Sequence, residues 1–290
     1  MNRYAVIALT LHTALGFAAQ PAPSFQSQHE AWRTLRLAAL TRPEGWLSVV
    51  GLTWLSPGVN TLGSGKEAAL TLPAKAPARV GTLTWKEGKV YFLAAPGVVP
   101  TRNGQPFRSG VLEPDTPASW LALGDLRLGV IARGDRMGLR VRDVHSEARQ
   151  DFKGIPAFAP DPAWRLEARY EPFEKPKQVR IATVIGTPMD AEIPGRVTFT
   201  LAGQTLTLEP VLEDGQFFFI FRDTTSGEET YPAGRFLYAD LPRDGKVILD
   251  FNRAENPPCA FTLFATCPLA PPQNALPVAV KAGEKDPHLH

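Results

Sequence analysis

Gly81-Thr82-Leu83-Thr84-Trp85-Lys86-Glu87-Gly88-Lys89-Val90-Tyr91-Phe92-Leu93 is the stretch whose reading decides the fold class. Leu83 and Trp85 alternate with Thr82 and Thr84, the period-two pattern of a strand with one buried face. Glu87-Gly88 supplies a two-residue turn before a second apolar run, so the stretch predicts a β-hairpin. The same grammar continues outward. Asn103-Gly104 predicts a type I′ turn, because both positions need positive φ. Strands are expected near 119–123, 127–133 and 138–143. Beyond these, Ala202-Gly203, Asp214-Gly215 and Asp244-Gly245 carry hairpin chemistry between strands expected at 179–185, 196–201, 204–210, 216–222, 235–239 and 246–251. The 24 glycines and 28 prolines lie dispersed between short apolar runs, which indicates many strands and not disorder.

The expected fold class is therefore all-β: an N-terminal helix, a β-sandwich domain at 45–145, a packed linker at 146–178, and an antiparallel meander at 179–285. Short links favour antiparallel neighbours, so the meander should close as a barrel or a sandwich, ending in a Cys/Pro-rich segment. Pro156, Pro160, Pro162, Pro172 and Pro176 mark the linker, and Phe152, Phe158 and Trp164 would pack it down. The helix is expected over 24–41, capped by Ser24 or Ser27. Trp32, Leu35, Ala39 and Leu40 would form its packing face, and Arg42-Pro43 would stop it.

Residues 1–18 read as a secretory signal, with Arg3 followed by an apolar stretch that ends at Ala18. The expected location is periplasmic or secreted, with no integral membrane segment after cleavage. With 31 basic and 29 acidic residues, the chain has no field for steering onto nucleic acid. A small molecule or an envelope component is the expected partner.

No Gly-x-Ser-x-Gly elbow and no His-Glu-x-x-His occurs, and His145 is the one histidine of the expected β region. Gly63-Ser64-Gly65-Lys66 lacks the first glycine of a phosphate loop, since Asn60 stands there. No metal and no cofactor are expected.

The informative region lies toward the C-terminus. Over 247–252, period two points Val247, Leu249 and Phe251 one way and Ile248, Asp250 and Asn252 the other. A carboxylate and an amide on one face of an apolar strand need partners if buried, and Arg222, Arg235 and Arg253 are the nearest cations in sequence. The candidate ligand-binding residues are Asp223, Tyr231, Arg235, Asp250, Asn252 and Asn256. Asp250 would act as general base or anion, Arg235 would hold a ligand carboxylate or hydroxyl, and Tyr231 would form a wall beside Phe236. The same residues can instead be a structural knot that holds the Asn256-Pro257-Pro258 turn. For Cys259 and Cys267 three states stay open: a disulfide, a pair of metal ligands without the usual second pair, or two buried thiols. Thiol redox chemistry meets a seven-residue spacing unlike Cys-x-x-Cys.

Two resemblances follow from these residues. Gly63-Ser64, Asn103-Gly104 and Leu123-Gly124-Asp125 make 50–143 look like a forkhead-associated, SMAD-like sandwich, with Ser64 where that fold's phosphothreonine-binding arginine would stand. This implies a scaffold and no phosphopeptide site. Asp223-x-Thr225-Ser226-Gly227-x-x-Thr230-Tyr231-x-x-Gly234-Arg235-Phe236, Leu249-Asp250-Phe251-Asn252, Asn256-Pro257-Pro258-Cys259 and Cys267-Pro268-Leu269 resemble the bacterial domain-of-unknown-function family 1684. Asn274 and Ala282-Gly283-Glu284 continue the match. That pattern usually reads aromatic where Glu255 stands and proline where Ala270 stands. The resemblance implies no activity. The leading expectation is a non-catalytic ligand-binding or structural protein of the cell envelope. The alternative is a metal-independent hydrolase using Asp250 and a second carboxylate.

Overall fold

The computed structural model describes residues 23–289, so the expected signal at 1–18 lies outside the described residues. The first element is the helix Phe25–Thr41. Ser24 caps it, its hydroxyl accepting the Ser27 N–H at 3.2 Å. Its packing face agrees with the expected one at Leu40 and the half-buried Trp32 and differs at Leu35 and Ala39. His29 and Leu40 are buried and Arg33, Arg36 and Leu37 half-buried, whereas Ala39 is exposed and Leu35 is 71% exposed. The reason is polar docking at helical spacing. Arg33 Nη2 donates to the Ile155 carbonyl at 2.9 Å, and Arg36 Nε donates to Glu284 at 2.9 Å. Hydrophobicity alone does not see these contacts.

Residues 49–143 form two sheets around one core. One runs in spatial order Val49–Trp54, Arg136–Asp143, Leu126–Arg133, Leu121–Leu123, Thr101–Arg102, Gln105–Pro106. The other runs Leu70–Thr71, Gly58–Gly63, Gly81–Lys86, Lys89–Ala94, Ser109–Leu112. Leu83, Val90 and Phe92 from the second meet Leu128, Val130 and Leu139 from the first in a single buried cluster. Each such side chain contributes about 1.5–3 kcal/mol by leaving water. The hairpin of the opening stretch is present, and Glu87 and Gly88 take φ of 51° and 74°. Asn103 and Gly104 take 51° and 77°, as the type I′ reading requires.

The second half pairs a four-stranded sheet with a three-stranded one. The former runs Gln204–Leu208, Met189–Leu201, Arg165–Ile181, Lys246–Asp250, and the latter Val211–Glu213, Gln216–Phe221, Arg235–Ala239. Phe199, Phe217, Phe219, Phe221, Leu249 and Phe251 fill the core between them. Among the described residues this is an open, sandwich-like pairing and no closed barrel. The strand Arg165–Ile181 begins far earlier than 179, within the stretch where proline content predicted a linker. Its register shifts between Pro172 and Lys177, and that irregularity is where both prolines sit without needing ladder donors.

The three-stranded sheet has two working faces. Phe217, Phe219 and Phe221 enter the core, while Phe218, Ile220 and Phe236 turn to the opposite side, in one cluster with Cys259 and Cys267. Phe236 and Glu255 exchange backbone hydrogen bonds of 2.8 and 2.9 Å, so Glu255 extends this sheet at its edge. The C-terminal segment then returns across the 251–254 turn. Gly283, at φ +77°, lies so close that a Cβ would meet the Ala254 carbonyl oxygen at 2.4 Å.

Candidate functional site

The six residues proposed from sequence do not gather at one concavity. Asp223 and Arg235 form an ion pair at 2.8 Å with no side-chain exposure. Arg235 also donates to the carbonyls of Val280 (2.9 Å) and Ala282, and Asp223 Oδ1 accepts the Val280 N–H at 3.2 Å. Their chemistry is spent on the returning C-terminal segment. Asn256 is buried, its N–H donating to Glu284 at 2.6 Å and its amide to the Lys285 carbonyl at 2.7 Å. Tyr231 donates to the Cys259 carbonyl at 3.0 Å.

Asp250 and Asn252 depart from the expected geometry in another way. The strand ends at Asp250 and turns into the 3-10 segment Phe251–Arg253, so period two stops applying. Ile248 is 43% exposed, Asp250 is half-buried, and Asn252 is buried. Asp250 Oδ1 accepts the Asn252 N–H at 3.2 Å and its side-chain amide at 2.9 Å, while the Asn252 amide also bonds both backbone groups of Asp161. Asn252 is a structural clasp. Of the four side chains Asp223, Arg235, Asp250 and Asn256, Asp250 is the one that lines an open cleft.

That cleft, about 770 Å³, lies beside the N-terminal helix and is lined by Gln28, Trp32, Tyr238, Ile248, Asp250 and Arg253 among others. A second cleft of about 570 Å³ is lined by Arg36, Trp46, Glu213, Phe218, Tyr238, Glu255 and Cys267 among others. Tyr238 and Glu255 line both, so the two clefts adjoin as lobes of one groove, to which the helix contributes Gln28 and Trp32 in the first and Arg36 in the second. Volumes of this size suit small organic molecules.

The electrostatics concentrate at the junction. Burial raises Glu255 to about 7, with Arg36 opposing and Glu284 adding to the rise. Arg36 serves both carboxylates, at 3.4 Å from Glu255 and 2.9 Å from Glu284, and donates to the Asn256 carbonyl at 2.8 Å. Burial also raises Glu213, against the hydrogen bond that Tyr238 donates to it at 3.3 Å. The junction thus holds a carboxyl able to gain or lose a proton near neutrality, beside an aromatic ring and a fixed guanidinium. Arg165, Arg243, Lys246 and Arg253 line the first lobe together with Asp240 and Asp250, and Arg253 lies 3.5 Å from Asp250. Among the described residues, no group of three or more His, Cys, Asp or Glu side chains is placed to hold a metal ion.

Arg36, Glu213, Tyr238 and Glu255 were not found from sequence. One signal for Glu255 was present, because it stands where the family pattern usually carries an aromatic. For Arg36 there was none, since a helical arginine reads as solvated until its partner 248 residues away is known.

Cys259 and Cys267 are both buried and are not joined by a disulfide. The Cys259 N–H donates to Cys267 Sγ at 3.2 Å. The two thiols share a hydrogen bond that lowers the proton affinity of Cys259 and raises that of Cys267, and burial acts on both.

The fold and groove together define a mostly β protein with an open, mixed-charge cleft walled by a helix. Residues 150–285 match the model of a family described as "Protein of unknown function (DUF1684)", which places that segment in the family. The match begins after the N-terminal sandwich and contains the Asp250, Glu255 and cysteine positions. An uncharacterized protein of Haloarcula marismortui, solved by solution NMR, is 33% identical over 49% of this chain and 81% of its own, with a TM-score of 0.42. No match is found among curated proteins.

Proposed function

We propose that this is an exported, non-catalytic binding protein whose groove along the N-terminal helix takes a small organic molecule of the periplasm or exterior. The observation that carries the reading is the junction at Tyr238 and Glu255. It joins two clefts of ligand size, with the partly exposed Tyr238 ring and the largely buried Glu255 carboxyl lining both. Leu241, Ile248 and Tyr238 are 45%, 43% and 39% exposed, which supplies apolar contact beside the charged rim. Mixed apolar walls with a few placed polar groups are what small-molecule sites use. The export half of the proposal rests on residues 1–18, and the N-terminal sandwich is assigned a supporting scaffold role.

A second reading has one specific observation in its favour. Asp250 and Glu255 line the same lobe, and acid–base hydrolysis employs two carboxyls of which one titrates near 7. Thermal-shift screening of sugars, amino acids, amines and carboxylates against wild type and Tyr238→Ala tests the binding reading. Stabilisation of wild type that Tyr238→Ala loses supports it. Turnover of esterase, glycosidase or phosphatase substrates, abolished by both Asp250→Asn and Glu255→Gln, would replace it with the hydrolase.

A further inference from the structure

Three acids and four cations line the first lobe of the groove, and they are unevenly matched. Each acid is engaged. Asp250 accepts from Asn252 and lies 3.5 Å from Arg253, Glu255 lies 3.4 Å from Arg36, and Asp240 accepts the Gln216 side-chain amide at 3.3 Å. Among the cations Arg253 is matched in this way, and Lys246 lies 2.8 Å from Glu167. Arg165 and Arg243 make no ion pair and no side-chain hydrogen bond among the described residues.

The strand register explains both. Arg165 stands directly across the ladder from Asp250, whose oxygens are already held at the 251–253 turn. Arg243 stands directly across a two-residue turn from Lys246 and exchanges backbone hydrogen bonds of 2.9 and 3.0 Å with it. Asp244 and Gly245 take φ of 52° and 73°, the tight primed turn that sets both cations on one face. Like charges directly opposite one another are destabilising in a sheet. With Lys246 drawn to Glu167, Arg243 lines the lobe without a counter-ion. Apolar surface adjoins it: Leu241 and Ile248, each two residues along the chain from one of the two cations, are exposed and line the same lobe with Tyr238.

Resting on the reading that the groove binds a small molecule, we propose that its first lobe selects organic carboxylates, seated at Arg243 beside Lys246 with the apolar body along Leu241, Ile248 and Tyr238. A guanidinium offers two parallel N–H donors that match the two oxygens of a carboxylate. The bound anion also relieves the repulsion between Arg243 and Lys246. One negative charge suits the lobe, because two unpaired guanidinium groups stand against Asp240, the lobe's one carboxylate without a cation. An ammonium ligand would meet acids already engaged and a guanidinium that repels it.

The test titrates the full chain calorimetrically with hexanoate, hexylamine and hexanamide, and with phenylacetate, phenethylamine and phenylacetamide, at neutral pH and low ionic strength. Within each set the carboxylate is expected to bind about tenfold or more tighter than the amine or the amide. Arg243→Gln is expected to remove that preference, and Arg165→Gln to reduce it less, from the far end of the Lys246–Asp250 strand. Arg108→Gln, an exposed arginine of the sandwich outside both lobes, is expected to leave it unchanged. All three variants should keep the wild-type Tm without ligand, since their side chains are exposed. Amines or amides that bind as tightly as the carboxylates, and lose binding in Tyr238→Ala, overturn the proposal and leave the groove reading standing. An Arg108→Gln effect equal to that of Arg243→Gln also overturns it, because the response is then to net charge. Binding by none of the six compounds overturns it too, and the groove reading falls with it only if the wider thermal-shift screen is also empty.

Discussion

Arg235 and Asp223 meet at 2.8 Å with neither side chain exposed to solvent, and both also bind the backbone of the returning C-terminal segment. The pair is a structural clamp. Removing one partner leaves the other charge buried and uncompensated, which costs about 3–5 kcal/mol. Asp223→Asn or Arg235→Met is therefore expected to lower the urea midpoint strongly, with a similar slope. A midpoint unchanged within error would show that the clamp is not closed in solution.

Glu255 gives the protein a pH signature. Its folded pKa is raised to about 7 from 4.5 by burial, so between these values the folded state holds a proton that the unfolded state has lost. Stability from this group is full below the unfolded value and falls as pH rises toward 7, by on the order of 3 kcal/mol across the window. Glu255→Gln, neutral at every pH, is expected to gain stability over wild type at pH 8 and little at pH 4. Equal pH profiles for the two proteins, followed by thermal unfolding, would contradict the burial of an ionisable Glu255.

Asp250 carries a smaller load. It caps the 3-10 turn through Asn252 and lies 3.5 Å from Arg253, with its outer face toward the groove. Asp250→Ala is expected to cost about 1 kcal/mol, in line with a lost half-exposed cap. A loss comparable to that of Asp223→Asn would mean that Asp250 belongs to the buried network after all.

Much of the architecture could be read from local chemistry. Each X-Gly turn from Glu87-Gly88 to Asp244-Gly245 has positive φ at both positions, as two-residue hairpins demand. Ser24 and Pro43 bound the helix for the same kind of local reason. Long-range pairing escaped this logic. Arg165–Ile181 was hidden because a register shift accommodates prolines that normally end strands, and Arg36 because its partners lie at 255 and 284. The site suffered most. Asp223, Arg235, Asn252 and Asn256 were correctly singled out as polar groups needing partners. Yet those partners came from backbone at 161, 280 and 285 and so consumed the chemistry. Asp250 alone keeps a face toward the groove, because the strand ends there and the next residues turn away.

The central claim is that a small molecule binds between the N-terminal helix and the edge of the three-stranded sheet. Its most direct test is chemical-shift mapping of the labelled full chain during titration with compounds that raise its melting temperature. The account predicts that the perturbed signals gather on the Trp32 indole, the Ile248 methyls, Tyr238 and Glu255, and that Tyr238→Ala abolishes them. Perturbations confined to the sandwich at 49–143, or none with any compound, would contradict it.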